Sequence, residues 1–258
     1  MKKLSLVLLA FLAFSFVGCQ EWLDIPDPEP EPEPEPEPVE EALIMLEETS
    51  ATLHYGETYQ INAECESPIT YSSEDEYYAS VSEEGLVTAN FVGATTINLE
   101  SEFDAQTFEV TIEPVSNLYP EPEIEIGESK ESIIERFGEP FAETEETIGY
   151  QDYSDNTTML MVLFDENDLV ENYALILDVE FEEELETFLS ERYPFVQEME
   201  GMKIYVNALN PEEASLIIGS QVYEDEEESF LMVVYGSNTS EPEEKSVSMK
   251  ALLKALGK

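Results

Sequence analysis

Apolar and polar positions are distributed along this chain in four distinct ways. Leu4 to Val17 is an uncharged, mostly apolar run of fourteen residues behind the basic start Met1-Lys2-Lys3. Residues 26–38 then place proline at every second position, with acidic residues between. From about 40 to 114 the apolar residues alternate in short bursts: Leu43–Leu46, Thr58–Ala63, Thr70–Ser73, Ala79–Val81, Leu86–Ala89, Thr95–Leu99 and Thr107–Ile112. A period of two over such short runs, with turn residues between, predicts six or seven strands and a β-sandwich. From about 118 to 258 the pattern mixes periods. The segment Ile126–Pro140 reads as one short helix, with Ser129 as N-cap candidate, Ile133, Ile134 and Phe137 as its apolar face, and Gly138 and Pro140 as its stop. Met159–Phe164 and Leu169–Leu177 read as strands joined by the hairpin turn Asp165–Asp168. Phe181–Tyr193 reads as an amphipathic helix with Leu185, Phe188 and Leu189 on one side and Pro194 ending it. Met202–Leu209, Ala214–Tyr223 and Phe230–Tyr235 read as three more strands, and Lys250–Leu256 as a closing helix. The expected architecture is a β-sandwich followed by an α+β domain with an antiparallel sheet and helices on one face.

The first run is too short to span a bilayer, which takes roughly 20 apolar residues, and has the build of a secretory signal over residues 1–18. Phe16-Val17-Gly18-Cys19 resembles the lipobox of bacterial lipoproteins, departing from it at Phe16, where the family has Leu. The resemblance implies that Cys19 is acylated and becomes the first residue of the mature chain. An ordinary secretory signal with a chance cysteine is the other reading. The acidic stretch after Cys19 also resembles the export signal of some Gram-negative lipoproteins, implying an outer-membrane, surface-exposed location. The proline-rich segment, within an acidic linker at 19–39, is confined to polyproline II and spans roughly 40 Å at about 3.1 Å per residue. It reads as a stiff spacer.

Tyr55–Ile61, Ile69–Asp75, Ala79–Ala89 and Gly93–Ile97 resemble, in that order, a group 2 bacterial immunoglobulin-like domain over residues 40–114. Tyr71 stands where that family usually has Trp. Gly56 and Gly85 are expected at positive φ, and Ser72-Ser73 to bond their own backbone in a turn. Val81, Leu86 and Val87 are expected to fill the core. Farther on, Gly127-Glu128-Ser129, a helix, Phe137-Gly138-Glu139-Pro140 and a hairpin distantly resemble the SmpA/OmlA-type outer-membrane lipoproteins and the repeat domains of β-lactamase inhibitor proteins. That likeness implies a protein-binding role for the domain at 118–258.

Charge sharpens this reading. The chain has 60 acidic and 10 basic residues. Loss of Lys2 and Lys3 with the leader leaves 8 basic residues and a net charge near −52. Cys19 to Ser129 contains no Lys or Arg. Such a field repels nucleic acid and anionic lipid head groups, so the membrane is a partner only through the lipid anchor. Thirteen Tyr and thirteen Phe supply enough apolar material for folded cores.

Candidate chemistry is sparse. His54 is the only histidine, which excludes histidine-pair metal sites and His-based triads. With Cys19 acylated, Cys65 has no cysteine to pair with and reads as a core thiol. The oxygen-rich stretches Asp165–Asp168 and Glu224–Glu228 are the calcium candidates, but neither matches the twelve-residue calcium loop. No catalytic, cofactor-binding or metal residue is assigned. The chain is expected to be a non-enzymatic lipoprotein that binds a protein or glycan. The alternatives are an envelope spacer, a subunit of a nutrient-capture complex and a carboxylate-based hydrolase.

Overall fold

The computed structural model describes residues 43–224 and 229–238. Cys19, the leader, the proline-rich linker and the expected helix at 250–256 lie outside the described residues, as do residues 225–228 of the second acidic stretch. The chain is mostly β. The first body consists of β1 (Met45–Leu46), β2 (Ser50–His54), β3 (Thr58–Gln60), β4 (Ala63–Glu64), β5 (Thr70–Ser73), β6 (Ala79–Val81), β7 (Leu86–Ala89), β8 (Gly93–Glu100) and β9 (Ala105–Glu113). A four-stranded sheet in the order β2-β9-β8-β5 and a three-stranded sheet in the order β3-β7-β6 enclose one core. The period-two pattern of β9 shows why: Phe108, Val110 and Ile112 are buried, and the residues between them point to solvent.

Several expectations need correction here. Ser50–His54 is not among the strands that the alternation predicts, yet it pairs in parallel with β9 along its whole length. Leu86 is exposed, because in β7 it points away from Val87, which carries the core. Ser72 and Ser73 lie in β5 and make no turn; the turn bond is made by Asp75, whose Oδ1 accepts from the Tyr77 amide at 2.9 Å. The glycines behave as expected. Gly85 takes φ 79° beneath the Tyr71 ring, where an added Cβ would sit 2.9 Å from Cζ.

The second body consists of α1 (Lys130–Phe137), β10 (Ala142–Glu143), β11 (Thr147–Ser154), β12 (Thr157–Phe164), β13 (Val170–Leu177), α2 (Glu182–Ser190), β14 (Phe195–Met199), β15 (Met202–Val206), β16 (Leu216–Glu224) and β17 (Ser229–Ser237). A 3-10 turn at Val179–Phe181 leads into α2. The strands form one antiparallel sheet in the order β10-β11-β12-β13-β17-β16-β15-β14. Eight strands stand where the sequence pattern predicts five; β10, β11 and β14 are the additions. The helices are correspondingly short.

α1 begins as expected. Ser129 Oγ accepts from the Ser132 amide at 3.3 Å, and Gly138 at φ 85° closes the helix with its amide on Ile134 O. Ser132 Oγ donates to Glu128 at 2.5 Å. Leu185, Phe188 and Leu189 of α2 are buried with Ile133 of α1 against one face of the sheet, and the stretch through Leu118, Tyr119 and Ile124 joins the same core. Three acidic residues in the first turn of α2 suit the positive end of its dipole. Between β12 and β13, Asp165 Oδ1 accepts from the amides of Asn167 (2.8 Å) and Leu169 (2.9 Å), and Asp168 takes φ 59°. The predicted hairpin forms because Asp and Asn tolerate this geometry.

Candidate functional site

The residues of greatest interest lie where the two bodies meet, in a chain segment with no sequence motif. α2 ends at Ser190, and Glu191 and Arg192 follow. Glu191 is 2 % exposed. Its carboxylate accepts from the backbone amides of Val115 (2.8 Å) and Ser116 (3.1 Å) and from Arg192 Nη1 (2.6 Å). The Arg192 guanidinium lies over the Phe188 ring, 3.7 Å from its centroid. It donates to Phe188 O at 3.0 Å and to Ser116 O at 3.1 Å, and its Nε lies 3.8 Å from Glu121. Planar donors in a fixed fork suit this multiple role better than a lysine would.

The same two residues hold the first body through their main chain. Val92 N donates to Glu191 O at 2.8 Å, and Tyr77 Oη donates to Arg192 O at 2.6 Å. Tyr77 packs against Phe91 (centroids 4.9 Å apart) and edge-on to Tyr78 (5.5 Å). Burial pushes the Tyr77 phenol well above its ordinary value. Beside this joint, Tyr193 donates to Glu121 at 2.5 Å, and Tyr119 and Tyr235 share a hydrogen bond of 2.9 Å. Burial raises the phenols of Tyr119, Tyr173, Tyr193 and Tyr235, with Glu121 adding to the effect in each.

A cleft of about 680 Å³ opens over the joint, lined by Tyr77, Tyr78, Arg192, Tyr193, Asn207 and Asn210, with exposed Leu209 at its edge. Asn207 Oδ1 accepts from the amides of Ser215 and Leu216, and Asn210 Oδ1 from that of Glu212. Both asparagines therefore shape the loop between β15 and β16. The cleft offers aromatic faces, phenol and amide dipoles, one guanidinium and the carboxylates of Asp75, Glu76, Glu121 and Glu213; its lining has no imidazole or thiol.

The residues singled out from the sequence lie elsewhere. His54 is exposed at the end of β2, its Nδ1 3.0 Å from Glu113 O. Cys65 is half-buried against the sandwich core. In Asp165–Asp168, the leading carboxylate is bonded to its own turn, and main-chain hydrogen bonds from Leu169 and Asn167 hold it below the usual carboxylate range. Among the described residues no group of three or more His, Cys, Asp or Glu is placed to hold a metal. Sequence reasoning passed over Glu191-Arg192. The available signal was scarcity, since Arg192 is one of only two arginines in the chain.

Residues 41–112 match the family model of the bacterial Ig-like domain (group 2), which covers the first body. Two solved structures of a surface-layer protein align with the chain, each at 12 % identity and a TM-score of 0.24. For domains 5–6 of SbsC the alignment covers 76 % of this chain and 85 % of that one; for domains 4–9 of SbsC it covers 77 % and 27 %. At that score the alignments carry no argument about fold or role. No curated protein matches the chain.

Proposed function

We propose that this protein is a non-enzymatic cell-envelope lipoprotein, anchored in the outer membrane through acylated Cys19, that displays its two bodies as one unit and binds a protein or glycan partner in the cleft between them. The observation that carries the reading is the joint. An Ig-like domain serving only as a flexible bead needs no buried Glu-Arg pair to fix its neighbour, whereas a binding surface built from two bodies does. Aromatic rings beside amide and phenol groups suit the apolar and hydroxyl-bearing faces of a sugar or a polar peptide. The leader and lipobox-like Phe16–Cys19 support the anchor, and the proline-rich spacer lifts the pair away from the lipid surface. The distant likeness of the Gly127–Pro140 segment to SmpA/OmlA-type lipoproteins agrees with an envelope role.

A second reading, an envelope spacer, draws on the asparagines of the cleft, whose side-chain oxygens already serve their own loop. The two readings separate by experiment. Mature protein is screened against glycan arrays and envelope protein extracts, beside a Leu209→Glu variant that places a charge on the cleft rim. Binding lost in the variant supports the cleft. Binding that survives moves the site elsewhere, and no binding by either protein favours the spacer. For the anchor, Cys19→Ala is expected to move the protein from the membrane fraction to the soluble fraction; retention in the membrane refutes it.

A further inference from the structure

The cleft over the joint is selective in what it leaves free for a partner. Its neutral polar groups are already committed. Tyr77 Oη donates to Arg192 O at 2.6 Å, and Tyr193 Oη donates to Glu121 at 2.5 Å. Asn207 Oδ1 accepts from the amides of Ser215 and Leu216, and its Nδ2 donates to Ser215 Oγ at 3.0 Å. Asn210 Oδ1 accepts from the Glu212 amide, and its Nδ2 donates to Glu213 at 3.2 Å. A sugar is oriented by directed hydrogen bonds from groups of this kind. Here each of them already serves the protein's own joint or loop.

What remains is ring surface and negative charge. Asp75, Glu76, Glu121 and Glu213 line the cleft against one cation, Arg192. That guanidinium is stacked on Phe188, bonded to Glu191 and to two carbonyls, and its side chain is only 12 % exposed, so it cannot offset four carboxylates. The carboxylate of Glu76 takes part in no hydrogen bond or ion pair among the described residues; only its carbonyl is used, by Asn90 Nδ2. An anionic ligand is repelled here, and by the net charge of −50 behind it. A cation meets both of the remaining features. Tyrosine faces attract a guanidinium or ammonium within about 6 Å, and a carboxylate receives its donors. The volume of about 680 Å³ admits more than one side chain, and Leu209, 51 % exposed at the rim, adds an apolar seat. A free small cation leaves that seat bare, whereas a polypeptide with a basic residue beside an apolar one covers it.

We propose, on the reading that this cleft is the binding site, that its occupant is an exposed basic segment of a partner protein, with arginine or lysine side chains held between the tyrosine rings and the carboxylates of Glu76 and Glu213, and an apolar neighbour seated on Leu209. The acidity of the chain then has a use at this place: it draws a basic partner toward the cleft and turns acidic ones away.

The test measures fluorescence anisotropy of a labelled peptide of alternating arginine and leucine, titrated with mature protein in about 150 mM NaCl. A second peptide carries citrulline, the neutral isostere, in place of each arginine. Wild type is expected to bind the arginine peptide, and the citrulline peptide about tenfold or more weakly. A Glu76→Gln/Glu213→Gln variant is expected to bind the arginine peptide about tenfold more weakly, the loss of two exposed pairs. A Glu100→Gln/Glu109→Gln control removes the same charge from exposed positions of β8 and β9 and is expected to stay within about twofold of wild type. Both variants are expected to keep the wild-type Tm, which shows that they fold. Equal weakening in the two variants assigns the binding to the charge of the whole body and overturns the proposal, as does a citrulline peptide that binds as tightly as the arginine one. No binding of the arginine peptide also overturns it. If a neutral glycan on the array then binds wild type and not Leu209→Glu, the cleft reading stands without the basic partner; if no probe binds, both fall.

Discussion

Replacing Glu191 by alanine removes one carboxylate and strands three donors. The amides of Val115 and Ser116 lose their acceptor at 2.8 and 3.1 Å, and Arg192 loses its nearest one at 2.6 Å. A buried donor left unpaired costs about 1–3 kcal/mol. Arg192 retains Phe188 O and Ser116 O, so its loss is partial. The sum is about 4 kcal/mol, in line with the roughly 3–5 kcal/mol that follows removal of one partner of a buried pair. For a body of this size that is a fall in Tm of about 10 °C. Glu191→Gln keeps one oxygen for an amide but turns its own NH₂ toward another donor, so about 2 kcal/mol is expected. Because Glu191 O and Arg192 O also receive Val92 and Tyr77 of the first body, the alanine variant should split one unfolding transition into two. Urea titration followed by far-UV circular dichroism and tyrosine fluorescence measures both effects. An alanine variant within about 1 kcal/mol of wild type, or one milder than the glutamine variant, refutes the account of the joint.

Three further outcomes follow from the same physics. Tyr119, Tyr173, Tyr193 and Tyr235 have phenols raised by burial. The unfolded chain ionises near pH 10 and the native one resists, so their contribution is full below about pH 10 and is lost as pH rises above it. Their phenolate absorbance should therefore appear only together with loss of tertiary signal, and ionisation in the intact fold would refute the burial argument. Gly93→Ala should destabilise by about 2–4 kcal/mol in urea, since φ is +147° and an added Cβ would lie 2.2 Å from Tyr78; Gly56→Ala, at φ +78° with nothing within 4 Å, should cost only about 1 kcal/mol. Equal costs would refute the claim of close approach. Raising NaCl from about 10 mM to about 500 mM should raise the Tm, because salt screens the repulsion of a chain with net charge −50 more than it weakens a few ion pairs. A falling Tm would refute it.

The sequence shows its core strands and both helices because those elements bury one face. Phe108, Val110 and Ile112 alternate in β9, and Leu185, Phe188 and Leu189 recur at helical spacing in α2. What it hides are strands whose evidence is backbone pairing alone. β2 has one buried apolar residue, Leu53, and finds a parallel partner more than fifty residues away. β14 is exposed at every position, yet pairs with β15 at the edge of the sheet. β11 buries Ile148 and Tyr150, but its alternation breaks near Asp152, which takes φ 51° where the register shifts. The joint is hidden for a related reason. Its partners at 77, 92, 115 and 191 converge only through the fold, and a lone Glu-Arg dipeptide at a helix end is not a motif.

The scarcity of positive charge also explains how the second body is built. Its four described cations each face a carboxylate: Lys130 with Glu143 at 2.7 Å, Arg136 with Glu128, Arg192 with Glu191, and Lys203 with Glu186 at 2.8 Å. Lys130 ties α1 to β10, and Lys203 ties β15 to α2. Exposed pairs of this kind contribute at most about 1 kcal/mol each and weaken in salt. Arg192 differs because Glu191 is buried, so screening reaches it least. The first body has no Lys or Arg and depends on its core, tied to the Glu191–Arg192 joint by Val92 and Tyr77 through neutral hydrogen bonds to the two carbonyls. In a molecule whose long-range electrostatics push its parts apart, the carbonyls of Glu191 and Arg192 hold Val92 and Tyr77 of the first body while their side chains fasten the Val115–Ser116 connection, and the cleft beside them depends on that joint.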